Sequence, residues 1–434
     1  MAQFRTDIHK IDSGQVFTRY EVNMMSDRLT PSGTMTDAFG RLRVSEPLTL
    51  FDSQHRYVEN GKWATANNET SNVQHVITES SVNLNVSTAN NDHVYRETRK
   101  VFAYQPGKSL LIMNTFAMNE PKANLTQRLG YFGQDNGIYF ENDGTTNYLV
   151  LRSNSTGTIT ETKVSQSDWN VDKFDGTGYS SQGGSEHASG INVSKTNIFW
   201  IDIEWLGVGD VRCGFVVDGK PLPAHIFHND NIQTEPYMTT ACLPIRYEIV
   251  NKGITTSNSR LKQICSTVIS EGGYALSGKQ RSVSGLLSAP KDIPTAGTFV
   301  PIISIRLKSD RLDAIVVPNS AEIVGITNNT QYRYKVVVGG TLTGAVWNSS
   351  ATTSAVEWDT AATAISGGDD AKIGFLNVGA GSGATVASFT DGLFKFQLER
   401  NSFTGNTTVF SLVATGATNG NDAVGAISWE EIFE

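Results

Sequence analysis

Short runs in which apolar and polar residues alternate recur along almost the whole chain. The clearest is 199–206, FWIDIEWL, in which every second residue from Phe199 to Trp205 is apolar. Side chains on an extended strand point alternately to its two faces, so these apolar residues share one face. Such a pattern is typical of a β-strand with one face buried. The chain is therefore expected to fold as packed β-sheets.

Turn residues separate these runs and indicate how neighbouring strands connect. Asn142-Asp143-Gly144 lies between the apolar runs 137–141 and 148–152, and Asp218-Gly219 follows the run 211–217. An Asp-Gly pair between two such runs is a strong signal for a β-hairpin. Charged residues make up only 18% of the chain, which contains 40 glycines. Many short strands with polar turns produce this composition, whereas long helices with ion-paired surfaces do not.

The order of strands and linkers predicts an all-β fold of two β-sandwich, jelly-roll-like domains preceded by an extended N-terminal arm. The arm is assigned to residues 1–60, which contain no clear helix and too little apolar periodicity for a core. A lectin-like jelly-roll sandwich is assigned to 61–289. Pro290 and Pro294 indicate a linker, and a second, smaller sandwich is assigned to 290–434.

The arm concentrates apolar and basic side chains that need a surface to contact. In the segment 41–44, arginine and aliphatic residues alternate, so Arg41 and Arg43 would share one face of a strand. Two interpretations stay open: a solvated edge strand, or a strand that adds to the sheet of a neighbouring subunit. The candidate assembly residues of the arm are Phe39, Arg41, Leu42, Arg43, Val44 and Phe51.

Charge, cysteine content and hydropathy argue against several classes of partner. The formal net charge is -8, and no cluster of Lys and Arg suits a phosphate backbone, so we expect no nucleic-acid partner. Cys213, Cys242 and Cys265 lie far apart, which fits reduced thiols better than a disulfide framework. No apolar run approaches the ~18 residues that span a bilayer. We therefore expect no membrane contact, and folding in a host cytoplasm.

Seven segments distributed over nearly the whole chain carry a likeness to a known family. They are 37–45 (DAFGRLRVS), 50–54 (LFDSQ), 104–109 (YQPGKS), 128–132 (RLGYF), 199–207 (FWIDIEWLG), 261–274 (LKQICSTVISEGGY) and 427–432 (ISWEEI). Together they resemble tailed-phage virion structural proteins of the marine and cyanophage type, with a lectin-like jelly-roll domain. The resemblance implies a virion location and a fibre-, capsid-decoration- or tail-associated role. We further expect homo-oligomers that contact other virion proteins.

The strand at 199–206 also carries the best candidate for chemistry. Asp202 and Glu204 share one face at a spacing of about 7 Å, and paired carboxylates can hydrolyse glycosidic bonds. The stretch resembles the catalytic strand of family 16 glycoside hydrolases, Glu-x-Asp-x-Glu, in which the first acid is the nucleophile. Here Trp200 stands at that position. A retaining mechanism fails without its nucleophile, so we expect a protein that is not an enzyme.

Two alternatives stay open beside non-enzymatic assembly: a carbohydrate-binding host-adhesion protein, and an inactive glycoside hydrolase-like jelly roll. The first would contact a host-surface glycan. The candidate glycan or cation groove consists of Asp202, Glu204, Asn229 and Asp230. Five tryptophans near polar sequence are candidates for stacking on sugars, although packing in a core is the favoured interpretation: Trp63, Trp169, Trp205, Trp347 and Trp358.

Metal and cofactor sites are not expected. His225 and His228 are three residues apart, but no third ligand has a suitable spacing for zinc. The glycine-rich segment 379–383 lacks the Lys-Ser/Thr ending of a phosphate-binding loop. We therefore expect no catalytic residue, no metal and no cofactor.

Overall fold

The structure is a computed structural model of the 434-residue chain. It describes residues 46–68, 70–182, 189–273, 278–380, 386–389 and 396–432. A boundary after Pro47 divides the chain into two units, Met1–Pro47 and Leu48–Glu434. The first unit lies almost entirely outside the described residues, and the second contains two β-sandwiches.

Thirty β-strands and two short 3-10 helices form the regular structure of the described residues, which contain no α-helix. The strands of the first sandwich are β1 (Pro47–Ser53), β2 (Trp63–Asn67), β3 (Asn72–Val76), β4 (Ser81–Val86), β5 (His93–Thr98), β6 (Ser109–Ala117), β7 (Leu125–Phe132), β8 (Gly137–Asn142), β9 (Asn147–Ser153), β10 (Thr160–Ser165), β11 (Asn197–Ile203), β12 (Val211–Val217), β13 (Lys220–Phe227), β14 (Ile245–Asn251) and β15 (Ser259–Glu271). The 3-10 helices are Gln166–Asp168 and Tyr179–Gln182.

The second sandwich contains the remaining strands. They are β16 (Lys279–Ser284), β17 (Lys291–Ile293), β18 (Val300–Leu307), β19 (Ile315–Gly325), β20 (Thr330–Val338), β21 (Thr341–Thr343), β22 (Asn348–Ser349), β23 (Val356–Asp359), β24 (Ala364–Ser366), β25 (Asp369–Val378), β26 (Val386–Phe389), β27 (Arg400–Asn401), β28 (Asn406–Thr407), β29 (Phe410–Gly416) and β30 (Asn421–Ile432). No helix in the described part of the chain has the length and apolar character needed to cross a membrane.

Two antiparallel sheets form the first sandwich. The larger sheet has eight strands in the order β13-β12-β11-β6-β15-β4-β3, with β1 paired to β15. The other has seven strands in the order β10-β9-β8-β7-β14-β5-β2. Strands far apart in sequence are neighbours in both sheets, since β6 lies between β11 and β15, and β7 lies beside β14. Such long connections between two packed sheets are typical of jelly-roll folds.

Aromatic side chains fill the space between these two sheets. Phe140 of β8 and Phe215 of β12 come from opposite sheets, and their ring centroids are 5.2 Å apart in an edge-to-face arrangement. Phe199 of β11 and Trp169 contact both rings. All four side chains are buried. Aromatic pairs of this kind add about 0.5–1.5 kcal/mol each beyond the burial of apolar area, so the cluster holds the sheets together.

The second sandwich also consists mainly of two antiparallel sheets. One has the order β16-β30-β19-β26 with β17 paired to β30, and the other has the order β22-β23-β18-β29-β20-β25. Because β16 pairs with β30, this sandwich begins before residue 290, where the sequence placed its start. Most residues of β16 are exposed, so the strand has no buried apolar face that periodicity could detect.

The predicted all-β fold with two sandwich domains is confirmed, and so are two hairpins. Asn142 pairs with Asn147, and Val217 pairs with Lys220. Asp218 and Gly219 both have positive φ angles, 50° and 74°, as the tight turn of a two-residue hairpin requires. The predicted N-terminal arm falls within the described residues only from position 46 onward.

The two sandwiches contact each other through apolar and charged side chains. Val101 from the first and Ile315 from the second belong to one buried apolar cluster. Arg400 from the second sandwich reaches Glu97 of β5, with 2.8 Å between Nη1 and Oε1. Both charged side chains are almost fully buried, at 3% and 2% exposure. Breaking such a pair leaves an uncompensated buried charge, so this contact couples the two sandwiches.

Candidate functional site

The burial pattern of β11 decides which way the acidic pair points. Every second residue from Phe199 to Ile203 lies in the core of the first sandwich. Because side chains alternate between faces, Trp200 and Asp202 lie on the outer face of the eight-stranded sheet. Glu204 directly follows the end of β11 and is exposed. The two acids therefore lie at one end of an outer sheet face.

Asp202 is held in an ion pair. It lies directly opposite Arg212 in the ladder between β11 and β12, and Arg212 Nη2 is 2.5 Å from Asp202 Oδ2. The other carboxylate oxygen, Oδ1, is buried without a hydrogen-bond partner. Burial raises the pKa of Asp202, Arg212 opposes the rise, and the charges of Glu271 and Glu204 add to it. The carboxylate is thus partly desolvated, with one cation and two acids around it.

A buried tryptophan occupies the position at which the resemblance places a nucleophile. Trp200 is 6% exposed, and its indole N–H donates a hydrogen bond to the Phe215 carbonyl oxygen at 3.3 Å. Its cross-strand neighbour is Gly214, where an added Cβ would meet the carbonyl oxygen of Leu222 in β13. An indole cannot form the covalent glycosyl intermediate of a retaining hydrolase. The arrangement retains the second and third acids of the pattern and lacks the first.

Asn229 approaches the loop that follows Glu204, but its side chain makes a structural contact there. Asn229 Nδ2 donates a hydrogen bond to the Gly209 carbonyl oxygen at 2.9 Å. The neighbouring Asp230 is exposed. Of the four predicted groove residues, the structure therefore brings Asp202 and Glu204 into electrostatic contact and uses Asn229 to fix the adjoining loop.

The two histidines have separate environments. The His225 ring packs edge-to-face against Phe227, with 4.6 Å between ring centroids. Burial lowers the pKa of His225 to about 4, and His228 contributes, so the ring is neutral at pH 7. His228 Nδ1 lies 3.1 Å from Asp210 Oδ2. Within the described ranges, no group of three His, Cys, Asp or Glu side chains is arranged to hold a metal ion.

Phe51, which the sequence assigned to the assembly arm, lies inside the first sandwich. Its side chain is 3% exposed, and its ring centroid is 5.1 Å from that of Phe102 and 6.0 Å from that of Trp63. Thr267 of β15 donates a hydrogen bond to its carbonyl oxygen. Phe51 therefore needs no neighbouring subunit to bury it. Outside the described residues lie the other arm candidates: Phe39, Arg41, Leu42, Arg43 and Val44.

A cleft of about 790 Å³ opens where the two sandwiches meet. Gly61 and Arg99 line it from the first sandwich, and Arg306 of β18, Trp347 and Glu357 of β23 line it from the second. The volume falls within the roughly 300–1,000 Å³ of ligand-binding clefts. Most of the lining residues belong to the second sandwich.

Three side chains of the second sandwich form an ordered wall of this cleft. The Arg306 guanidinium lies over the Trp347 ring, with 4.0 Å between Cζ and the ring centroid. Arg306 Nε also donates to Glu357 Oε1 at 2.6 Å. Because the guanidinium contacts the ring and the carboxylate together, it fixes both side chains. Trp347 nevertheless remains partly exposed.

Polar side chains occupy other parts of the cleft lining. Asp369 at the start of β25 and Asn406 of β28 are exposed. Burial raises the pKa of Glu399, which also lines the cleft, while Lys100 and Arg99 oppose the rise. The cleft therefore offers one aromatic ring together with hydrogen-bond donors and acceptors.

One tryptophan is a weak sequence signal for this cleft. Trp63 and Trp169 are buried in the first core, whereas Trp205, Trp347 and Trp358 are partly exposed. Among these five, Trp347 lines the cleft. The other lining residues are scattered from position 61 to position 409, so no local motif could identify them.

Comparison with known proteins finds no matching family model and no matching curated protein. A protein of unknown function from Shewanella oneidensis MR-1 is 11% identical with a TM-score of 0.34, over 61% of this chain and 99% of that one. The Bacillus licheniformis beta-glucanase is 12% identical, with a TM-score of 0.31, over 52% and 98%. The conserved carbohydrate esterase of Shiga toxin-encoding bacteriophage phi24B is 12% identical, with a TM-score of 0.32, over 52% and 99%. Similarities at these TM-scores carry no argument about function.

Proposed function

We propose that this protein is a non-enzymatic structural component of a tailed-phage virion, acting through assembly with copies of itself and with other virion proteins. The seven segments that resemble such virion proteins support the location. The observation that carries the non-enzymatic part is Trp200, buried and hydrogen-bonded where a glycoside hydrolase of the resembling type needs its nucleophile. The ion pair of Asp202 with Arg212 supports the same conclusion.

An edge strand of the second sandwich supports the assembly part of this proposal. Within the described residues, β25 is a ten-residue strand whose ladder pairs it with β20 on one side. Ile373 and Phe375 of this strand are 46% and 76% exposed. Exposed apolar edge strands readily pair with strands of other chains, so monomeric proteins usually protect them. Contact with another virion subunit would bury this edge.

Hydrolysis assays on polysaccharides test the non-enzymatic part. Wild-type protein and the Glu204→Gln variant should both remain at the background of a buffer control, because the nucleophile is absent in each. The matched control is Glu235→Gln, which changes another exposed acid outside the outer-face pair. Turnover by wild type and by Glu235→Gln that disappears in Glu204→Gln would overturn this part of the proposal.

Purified particles test the virion part. Mass spectrometry of particles from the encoding phage should detect the chain at a fixed stoichiometry, and a particle map should place it at symmetric positions. Absence of the chain from purified, intact particles would overturn the proposal.

A truncation that removes residues 1–45 tests the predicted role of the arm. It leaves β1 and the buried Phe51 in place, so the sandwiches should fold with unchanged stability. We expect the truncated chain to be lost from particles. Incorporation at normal occupancy would show that assembly uses another surface, for which β25 is the candidate.

A further inference from the structure

The wall formed by Arg306, Trp347 and Glu357 gives the cleft a surface suited to a sugar ring. The indole is rigid and partly exposed, and the guanidinium that covers one face fixes it, so a sugar ring would pack on the opposite face. A ring held in one position loses little conformational freedom when a ligand packs on it. Tryptophan combines a large apolar surface with a polar N–H, and the C–H face of a saccharide needs such a surface.

The remaining lining matches the hydroxyl groups of a saccharide. Asn406 supplies a donor and an acceptor, Asp369 supplies acceptors, and Thr341 supplies a hydroxyl. All three side chains are exposed, so their hydrogen-bonding capacity is accessible from the cleft. Sugar hydroxyls both donate and accept, so a mixed lining of this kind pairs with more of them than an apolar pocket does.

The charges of the cleft favour a neutral ligand. Arg306 Nε donates a hydrogen bond to Glu357 Oε1 at 2.6 Å, and the carboxylate balances the charge of the guanidinium. Arg306 therefore does not favour an anionic ligand. Arg99 is the other cation of the lining, and its Nε donates to the Gly61 carbonyl oxygen at 3.1 Å. Asp369 and Glu399 add acidic groups. An anion site needs clustered, uncompensated cations, and these residues do not provide one.

We propose that the cleft between the two sandwiches binds a short neutral oligosaccharide, with Trp347 as the stacking residue and Asn406 as a hydrogen-bonding residue. The proposal goes beyond the assembly role and does not rest on it. Binding would give a virion protein a contact with a glycan surface while its sandwiches stay assembled in the particle.

The test is an array of neutral and of sulfated or carboxylated oligosaccharides, probed with the full-length chain and followed by calorimetric titration of the best neutral hit. Trp347→Ala should weaken that binding about tenfold, the loss of a stacking contact worth ~1.4 kcal/mol. Trp347→Phe should recover part of the affinity, because it restores an aromatic face. Asn406→Ala should weaken binding independently of the ring.

Val346→Ala is the matched control, since this neighbouring side chain is exposed and does not line the cleft. It should bind like wild type. Circular dichroism and thermal unfolding should show all four variants folded. The proposal is overturned if no neutral oligosaccharide binds at millimolar concentration, or if anionic glycans bind better. It is also overturned if Trp347→Ala and Asn406→Ala both bind like wild type. If Trp347→Ala binds oligosaccharide more weakly but enters particles at the wild-type level, glycan binding is separate from the assembly role.

Discussion

The two sandwiches share a two-sheet antiparallel plan but fill their interiors differently. In the first, the ring centroids of Phe140, Phe199 and Phe215 lie 5.2 to 5.8 Å from one another. The second interior consists mostly of aliphatic side chains such as Ile303, packed with Trp429. Flat, rigid rings cannot reshape to fill a gap, whereas aliphatic side chains adjust more readily. The first interior should therefore tolerate the loss of one side chain less well.

Two charged pairs, one from each sandwich, differ in their exposure. On the outer face of the seven-stranded sheet, Arg128 lies 2.5 Å from Glu141 and 3.1 Å from Glu248, and both carboxylates are at most 4% exposed. In the second sandwich, Lys335 pairs with Asp370, which is 40% exposed. Buried, hydrogen-bonded charges fix geometry, while exposed charges stay available to solvent and ligands. The two pairs therefore differ in exposure, although the second sandwich also holds a buried pair, Arg281 with Glu431, whose carboxylate is 1% exposed.

The largest expected effect comes from opening a cavity in the aromatic core. Phe140→Ala should lower the free energy of unfolding by about 3–5 kcal/mol. The matched change is Phe410→Ala, which removes an equally buried phenylalanine from the second core. The cross-strand partners of Phe410 are the aliphatic Ile305 and Val338. We expect the Phe140 variant to lose more stability in chemical denaturation. If Phe140→Ala loses no more stability than Phe410→Ala, the two interiors tolerate the loss of a side chain equally well.

Removing Arg400 should give the next largest effect, because it breaks the charged contact between the sandwiches. Arg400→Ala leaves the buried Glu97 with Arg246 and the Ser402 hydroxyl as partners, and it also removes a hydrogen bond to the Thr98 carbonyl oxygen. We expect a loss of about 3 kcal/mol. Calorimetry should then resolve two unfolding transitions instead of one.

The control for this variant is Arg311→Ala, in which a partly exposed arginine 4.0 Å from Asp310 is removed. Its effect should stay within about 0.5 kcal/mol. If Arg400→Ala unfolds in the same single transition as the control, the remaining contacts suffice to couple the sandwiches, among them the apolar cluster with Val101 and Ile315 and the hydrogen bond from Ser402 to Glu97.

Local signals in the sequence predicted the parts of the fold that neighbouring residues determine. The hairpin at Asp218-Gly219 follows from two residues that tolerate positive φ angles between two apolar runs. The alternation of apolar and polar residues alone predicts which side chains of β11 face the core. It also predicted that Asp202 and Glu204 lie on the same side of the strand. These features need no knowledge of distant contacts, so periodicity and turn chemistry suffice.

Contacts between distant residues could not be predicted in this way. Phe51 looked like part of an arm because its short apolar burst lacks a repeating pattern, yet β1 pairs with β15 and buries it. The polar β16 lies within the range predicted for the first sandwich, 61–289, yet it pairs with β30 of the second. The cleft is lined by residues from position 61 to position 409 that come together only in the folded chain, so no local motif could predict it.

A smaller effect should appear in acid, on the charged outer face of the first sandwich. Burial alone would raise the pKa of Glu161, but hydrogen bonds from Tyr139 and Arg152 lower it to about 2 from an ordinary value of 4.5. A carboxylate with a lowered folded-state pKa stabilises the folded protein above pH 4.5. That contribution is lost as the pH falls from 4.5 towards 2.

Glu161→Gln should therefore flatten the decline of stability between pH 5 and pH 2.5, measured by denaturant titration at each pH. The exposed Glu235→Gln variant should retain the wild-type decline. The total change should be smaller than that of Arg400→Ala, because Glu161 is 26% exposed and solvent weakens its interactions. A wild-type slope in Glu161→Gln would show that other acids dominate, with Glu141, whose pKa is also lowered, as the first candidate.

The smallest expected effect separates the cleft from the core of the second sandwich. Trp347→Ala should lower the free energy of unfolding by less than about 1 kcal/mol, because the partly exposed ring chiefly loses its contact with Arg306. Trp429→Ala removes a fully buried indole from the same sandwich and should cost about 3–5 kcal/mol. Chemical denaturation of both variants gives the comparison. If the two losses were similar, Trp347 would be a structural residue, and weaker oligosaccharide binding by Trp347→Ala would reflect damage to the sandwich. If Trp347→Ala instead loses little stability but binds oligosaccharide more weakly, the ring contacts the ligand directly and the second sandwich stays intact.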